Sequence, residues 1–312
     1  MILSVCANPS VDSFWSVKWI NKGITNRSKK ETFYPGGKGI HVAFALKELG
    51  RDVTVLGTWG GQTGRWLKEK CAAQNIAAIG PDLEEWTRIC ITVKSSSRWD
   101  QTELLGNGPT IKAHEAEGFE SLYQQFIKKK KPKAVVISGS VPNGFDHNIY
   151  NRLISLAGQF DIPCFIDATG PLLKQALKAK PFAVHINQHE GKDLWPTDDP
   201  AKIARRLGSF CQVAAVTAGE KGLYLYVDGE IYHASYALPS SKVISAVGSG
   251  DCLLAGLVAA ISANEDPAYW AKYAAACGTA NCVHPELGML KSKDVDTIFE
   301  KVKLEKQTCD AE

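Results

Sequence analysis

Two short stretches of this 312-residue chain carry more glycine than a helix start requires: Pro35-Gly36-Gly37-Lys38-Gly39 and Val247-Gly248-Ser249-Gly250-Asp251. Each runs straight into an apolar helical pattern. A helix N-terminus offers unpaired N–H groups and a partial positive charge. Glycine lets an anion reach those groups with no Cβ in the way. A tight strand-to-helix turn needs the same glycines, and an aspartate at that point also complements the helix dipole. Either motif alone therefore reads equally well as structure. Two of them in one chain favour a phosphate-binding function.

The familiar nucleotide fingerprints are absent from the sequence. G-x-x-x-x-G-K-[ST] does not occur, because Gly36-Gly37-Lys38-Gly39 has the lysine but no following Ser or Thr. G-x-G-x-x-G also fails: Gly248-x-Gly250 is followed by Leu253, and Gly37-x-Gly39 by Val42. This argues against a dinucleotide-dependent dehydrogenase. Asn187 and Glu190 stand three apart after a strand-like run, which puts both on one helical face. An asparagine cap with a first-turn glutamate would have the same spacing.

The elements around these motifs alternate. Ile2 to Ala7 and Val53 to Thr58 read as strands, and between them Ile40 to Leu49 has helical periodicity ending at Gly50, a natural helix stop. The later runs AVVISG, CFIDA, AVHIN and VAAVTAG are strand-like, several with helical stretches between them. This predicts an α/β fold with a mostly parallel sheet covered on both faces, and ligands beyond the carboxyl ends of its strands. Ser13 to Ile20, Lys29 to Tyr34 and Ile89 to Leu105 have strand character with no helices between, so a small β-sheet appendage is expected near the ligand, as a lid. The polar tail after about Lys303 is expected to fray.

Composition narrows the function classes. Hydrophobic residues make up 45% and charged residues 22%, ordinary for a globular protein. The net charge of +3 is too mild to argue for nucleic acid, and the one dense basic run, Lys128 to Lys131, reads as a solvated helix end before Pro132. No apolar run reaches membrane-spanning length, and the N-terminal residues lack the basic flank of a signal peptide. The nine cysteines form no zinc or C-x-x-C pattern and mostly lie in apolar surroundings. Reduced thiols and a cytoplasmic location are the expectation.

Taken together, NPSVD, NRSKKETFYPGGKGIHVAFALKELG, TRICITVK, TELLGNGP, ISGSVPNG and VGSGDCLLAG resemble the motifs of the ribokinase-like (PfkB) carbohydrate kinases, in that family's order, across roughly residues 1 to 300. The resemblance is closest to the branch with 1-phosphofructokinase and tagatose-6-phosphate kinase. It implies a three-layer ribokinase-like sandwich in one domain over 1–312, with lid strands inserted at about 11–35 and 88–107. It implies transfer of the ATP γ-phosphoryl group to a sugar hydroxyl. Asp251 matches the catalytic base, and the N–H groups of Gly248, Ser249 and Gly250 match an anion hole.

The same resemblance places the substrate. Asp12 matches a hydroxyl-binding aspartate. Gly36 and Gly37 match positions where the sugar lies against backbone. Lys38, Arg27 and Arg88 match three cations that meet a phosphate already on the sugar. Ser140 and Glu103 match a further sugar contact and a lid residue. Asn187 and Glu190 match a pair near Mg²⁺ and the ATP phosphates, acting through water, while Thr217, Gly219 and Gly278 match the nucleotide loop and adenine wall. Fructose 1-phosphate is the first expectation for the substrate, followed by tagatose 6-phosphate and fructose 6-phosphate. A kinase of an unphosphorylated sugar or nucleoside, or a sugar-binding regulator with a decayed site, are the alternatives. A lid could cover its own site or pair with a second lid in a homodimer.

Four departures from the pattern stand out. His41 replaces the usual asparagine of G-G-K-G-x-N and is counted with the substrate residues, His185 replaces a lysine in K-x-N, Ser245-Ala246 replaces Asn- or Asp-Thr, and Cys252 follows Asp251 where Ser or Thr is common.

Overall fold

The computed structural model describes residues 1–95 and 101–308. In chain order its strands are β1 (Ile2–Cys6), β2 (Ser10–Val17), β3 (Lys30–Gly36), β4 (Val53–Gly57), β5 (Trp59–Gly60), β6 (Ala77–Ile79), β7 (Asp82–Leu83), β8 (Arg88–Ser95), β9 (Gln101–Leu105), β10 (Ala134–Ser138), β11 (Cys164–Asp167), β12 (Ala183–Asn187), β13 (Val213–Thr217), β14 (Leu223–Val227), β15 (Glu230–Ser235) and β16 (Lys303–Thr308). The helices are α1 (Lys38–Glu48), α2 (Gly61–Ala73), α3 (Ala113–Lys130), α4 (Ile149–Gly158), α5 (Gly170–Lys178), α6 (Gln188–Leu194), α7 (Pro200–Leu207), α8 (Ser249–Ile261), α9 (Pro267–Cys282) and α10 (Ser292–Phe299).

Ten strands form the central sheet in the order β16-β15-β14-β13-β12-β11-β10-β1-β4-β6. Pairing is parallel from β13 to β6 and antiparallel from β13 to β16. The parallel strands are near-continuous apolar runs because both faces are covered. Alternate residues feed two cores. Ile2 and Cys6 of β1 pack on the side of α1, α8 and α9, whereas Leu3 and Val5 pack on the side of α3 and α4. The result is the expected three-layer α/β sandwich.

The chain end departs from the sequence reading. Rather than fraying, Lys303–Thr308 forms β16 on the sheet border, paired with β15. Leu304 packs on the core. Lys306 pairs with Glu230 at 2.8 Å and lies 5.5 Å from the Tyr232 ring. A charged strand suits an edge, where it discourages further pairing, so polarity here marks a border strand.

A second sheet has the order β3-β2-β8-β9. The β2 strand begins at Ser10 and ends at Val17, so Trp19 and Ile20, expected within it, lie beyond it and are exposed. Residues 96–100 of the Ile89 to Leu105 run lie outside the described residues. Register puts Asp12, Tyr34, Cys90 and Leu105 on one face and Ser13, Phe33, Ile91 and Leu104 on the other.

Of the eight cysteines among the described residues, none is in a disulfide and seven are buried. Burial pushes the Cys6 thiol up to about 11 and that of Cys164 to about 12, so these thiols are un-ionised. Among the described residues, no helix is long and apolar enough to cross a membrane.

Candidate active site at the carboxyl ends of the strands

The ends of β1, β10, β11, β12 and β13 open into two adjoining cavities of about 520 and 400 Å³. The larger takes Asn187, Glu190, Thr217, Gly219 and Gly278 in its lining, with Ser249 and Gly250 from the start of α8. The smaller is walled by the second sheet through Asp12, Arg88 and Glu103, and by Gly37, His41 and Ser140. Lys38, Glu190, Gly248 and Asp251 line both. The two cavities therefore meet at a lysine, two carboxylates and a helix start.

The α8 entry owes its shape to Gly248. Its φ of +82° lies in the left-handed region, and a Cβ there would sit 2.3 Å from the Cα of Gly288. The chain then turns at once into a helix whose buried residues include Asp251 through Ala260, so the apolar run behind Asp251 fixes the carboxylate in place. The N–H of Ser249 donates to the Ala246 carbonyl at 3.1 Å. That donor is committed to the turn, which corrects the expectation that it is open to an anion. Gly250 follows in the first turn, where helix geometry leaves N–H groups without intrahelical acceptors.

The first glycine motif meets the second sheet. A Cβ on Gly36 would fall 2.1–2.3 Å from the Asp12 carboxyl atoms, so glycine is needed for close approach rather than for lining, and Gly36 itself lines neither cavity. Asp12 accepts from Ser10 Oγ at 2.6 Å. Burial opposes its charge, but hydrogen bonding and attraction from His41, with Ser10 and Arg88 adding, hold its carboxyl below the usual range.

Lys38 differs most from its expected role. Its Nζ donates to Asp167 Oδ1 at 2.6 Å and lies 3.9 Å from Glu190 Oε1. Asp167, at the end of β11, is 1% exposed and also faces His185 Nδ1 at 2.9 Å. Burial disfavours both charges, yet mutual attraction wins: the Lys38 ammonium titrates well above the lysine range, and Lys38 with His185 holds the Asp167 carboxyl well below the carboxylate range. Lys38 thus stands at the junction of the cavities with its charge already matched. Arg27 is exposed in the segment between β2 and β3 and lines neither cavity. The expected convergence of three cations on one phosphate is not assembled within this chain; Arg88 alone of the three belongs solely to the smaller cavity.

Arg88 reaches across from the start of β8. Its terminal nitrogens donate to the carbonyls of Asn8 at 3.0 Å and Gly106 at 3.3 Å, while its buried Nε has no hydrogen-bond partner among the described residues. Asn8 Oδ1 and Ser138 Oγ are likewise buried and without a hydrogen-bond partner among the described residues, and all three residues line the smaller cavity. Buried polar groups are normally satisfied, and these groups find no partner within the described residues. Asn8, Ser138 and Asp167 were not among the residues expected from sequence. Each follows or ends an apolar strand, and a polar residue at a strand's carboxyl end was the available signal.

Asn187 and Glu190 close a capping box at the start of α6. Glu190 N donates to Asn187 Oδ1 at 2.9 Å, and Asn187 N to Glu190 Oε2 at 2.8 Å. Two of their oxygens are thereby spent on the helix start, while Glu190 Oε1 faces the junction. His185, in the lysine position of K-x-N, is 4% exposed and lies 3.5 Å from Thr217 Oγ1, so its ring is fixed between β11 and β13.

A parallel-sheet sandwich whose two strand-end cavities share two carboxylates and a glycine-opened helix start is the architecture of a small-molecule phosphotransferase. The chain belongs to the pfkB family of carbohydrate kinases, whose family model matches residues 8–292. It is therefore a phosphotransferase acting on a sugar hydroxyl, with ATP as the donor. It is 30% identical over 294 residues to the 1-phosphofructokinase of Bacillus subtilis, covering 92% of this chain and 94% of that one. It is 28% identical over 313 residues to the tagatose-6-phosphate kinase of Staphylococcus epidermidis, covering 97% and 99%. The tetrameric inhibited form of phosphofructokinase-2 from Escherichia coli superposes with a TM-score of 0.85 at 25% identity, covering 96% of this chain and 98% of that one. The ribokinase of Thermotoga maritima, at 15% identity and a TM-score of 0.77 over 96% of this chain and 99% of that one, shares the fold.

Proposed function

We propose that this protein is an ATP- and Mg²⁺-dependent kinase of a ketohexose phosphate, with fructose 1-phosphate the first substrate and tagatose 6-phosphate and fructose 6-phosphate the next. The observation that carries this is the smaller cavity, with Arg88, Asn8 and Ser138 in its lining, joined to the larger cavity at Asp251. The names of the relatives support the same substrate class. In this reading the sugar's phosphate lies toward Arg88, its hydroxyls meet Asp12 and Ser140, and Glu103 borders it from the small sheet, which acts as a lid of the single kinase domain.

ATP occupies the larger cavity, with Thr217, Gly219 and Gly278 along its base and ribose and its phosphates toward the α8 start. Asp251 accepts the proton of the attacking hydroxyl, and the N–H of Gly250 with the helix dipole draws the transferring charge. Lys38 bridges from sugar side to nucleotide side, so it steadies the phosphoryl group in transit rather than the phosphate already on the sugar. The donors present fit Mg²⁺: Glu190 has a carboxylate oxygen at the junction that the capping box does not use, and this ion takes few protein ligands alongside phosphates and water. When bound, it neutralises charge on the phosphates.

The outer face of the small sheet exposes Phe33 (51%), Ile89 (41%) and Leu104 (58%). An apolar sheet face of this kind suits a homodimer through the lid, and the buried, unbridged thiols suit the cytoplasm. A kinase of an unphosphorylated sugar is the second reading, favoured by the exposure of Arg27. ATP consumption measured over a panel of ketohexose phosphates and the matching free sugars separates the two. Turnover is expected with a phosphorylated ketohexose, and a preference for free sugars would refute the proposal.

A further inference from the structure

His41 stands three residues after Lys38 on the same face of α1 and is 5% exposed. Its Nδ1 lies 2.9 Å from Asp251 Oδ2, and its Nε2 lies 3.5 Å from Asp12 Oδ2. Each ring nitrogen thus faces a carboxylate, and only the imidazolium has a donor on both. A third wall closes over the ring. Gly288 has φ of +65°, its N–H donates to the Val247 carbonyl at 3.3 Å, and a Cβ there would fall 2.2–2.7 Å from the ring atoms Cγ, Cδ2 and Nδ1. The loop before α10 therefore leaves room for an imidazole and little else.

We propose that His41 is a positioning residue: it holds the Asp251 carboxylate by one oxygen and ties it to Asp12 across the sugar cavity. This rests on the reading of Asp251 as the base. The charges around the ring bear it out. Asp12 faces it from β2 and Asp251 from α8, while Lys38 of α1, Arg88 of β8 and Glu190 of α6 line the same cavity. From the loop before α10 the ring meets the backbone of Gly288, and His284 of that loop is engaged with Glu286. Two carboxylates around one cavity repel each other unless a cation lies between them. Burial works against the His41 charge, but Asp12 and Asp251 outweigh it and lift the ring to about 10. With one Asp251 oxygen held, the other is left for the substrate hydroxyl, and a sugar bound at Asp12 is registered at the base through the ring.

The ring's charge is present at neutral pH and is lost as pH rises through about 10. In the wild-type enzyme kcat/KM for the phosphosugar is therefore expected to fall on that alkaline limb. His41→Asn keeps a donor without the charge; it is expected to lose the limb and keep a reduced rate. His41→Leu is expected to lower kcat roughly 10- to 100-fold with the KM for ATP changed less than about twofold. Imidazole ¹⁵N NMR of the wild-type protein at pH 8, assigned by the signal missing from His41→Asn, is expected to show protons on both ring nitrogens. A neutral His41 ring at pH 8, an alkaline limb that persists in His41→Asn, or wild-type turnover by His41→Leu would overturn the proposal. Asp251→Asn run alongside separates the two readings: full activity there refutes the base itself, whereas an inactive Asp251→Asn with an unaffected His41→Leu refutes only the role of His41.

Discussion

Replacing Lys38 by methionine is expected to destabilise the fold more than replacing its partner Asp167 by asparagine. The two side chains are 2.6 Å apart but unequally buried, at 39% and 1% exposed. In Asp167→Asn the freed ammonium can turn toward water, so the cost is a lost charge-assisted contact at a partly solvated site, about 1–2 kcal/mol. In Lys38→Met the carboxylate has no route to solvent and keeps only His185 at 2.9 Å. Breaking a buried pair from that side costs about 3–5 kcal/mol. The double variant removes the stranded charge and should return to within about 1 kcal/mol of Asp167→Asn. Because the folded Asp167 carboxyl titrates below its ordinary value of 3.8, the pair's contribution is whole above that pH and is lost only as pH falls through the depressed value. Urea unfolding at pH 7.5 thus reads all of it, and a 3 kcal/mol loss moves the midpoint by roughly 1 M for a slope near 3 kcal/mol/M. Equal losses in the two single variants, or a double variant as unstable as the sum, would refute the reasoning.

Gly250→Ala places a methyl group 3.0 Å from His185 Cε1 and beside the proposed phosphoryl path; steady-state kinetics are expected to show turnover lowered roughly tenfold or more, and thermal unfolding a loss of stability, because the His185 ring held by Asp167 and Thr217 must give way. Leu104→Asp puts a charge in the outer face of the small sheet, and sedimentation should show a shift from dimer to monomer with the fold retained by circular dichroism.

The parts of the site that sequence revealed are local ones. Gly36 to Lys38 and Gly248 to Asp251 each pack a strand end, a turn and a helix start into a few residues, and the apolar strands carry their burial in their composition. The parts that it hid are long-range. The Lys38–Asp167 pair spans 129 positions and the His41–Asp251 contact 210, and no local spacing encodes either. Lys38 consequently read as a free cation for substrate phosphate, although folding supplies it with a carboxylate. Arg27 read as part of the same cluster, although the segment that carries it leaves it exposed. The last strand was missed because its polar residues look like a loose tail until β15 offers an edge. Asn187 and Glu190 form the capping box that their spacing allowed and also line the larger cavity, since one geometry serves both placements.

The proposed mechanism puts phosphoryl transfer where the two cavities meet, with Asp251 taking the proton. Single-turnover formation of the sugar bisphosphate by wild type and Asp251→Asn, each with ATP affinity measured in parallel, tests it most directly. The variant is expected to form the bisphosphate at a rate lowered about 10²- to 10⁴-fold, with the Kd for ATP within about twofold of wild type. Bisphosphate formation by Asp251→Asn at a rate within a few-fold of wild type would contradict it.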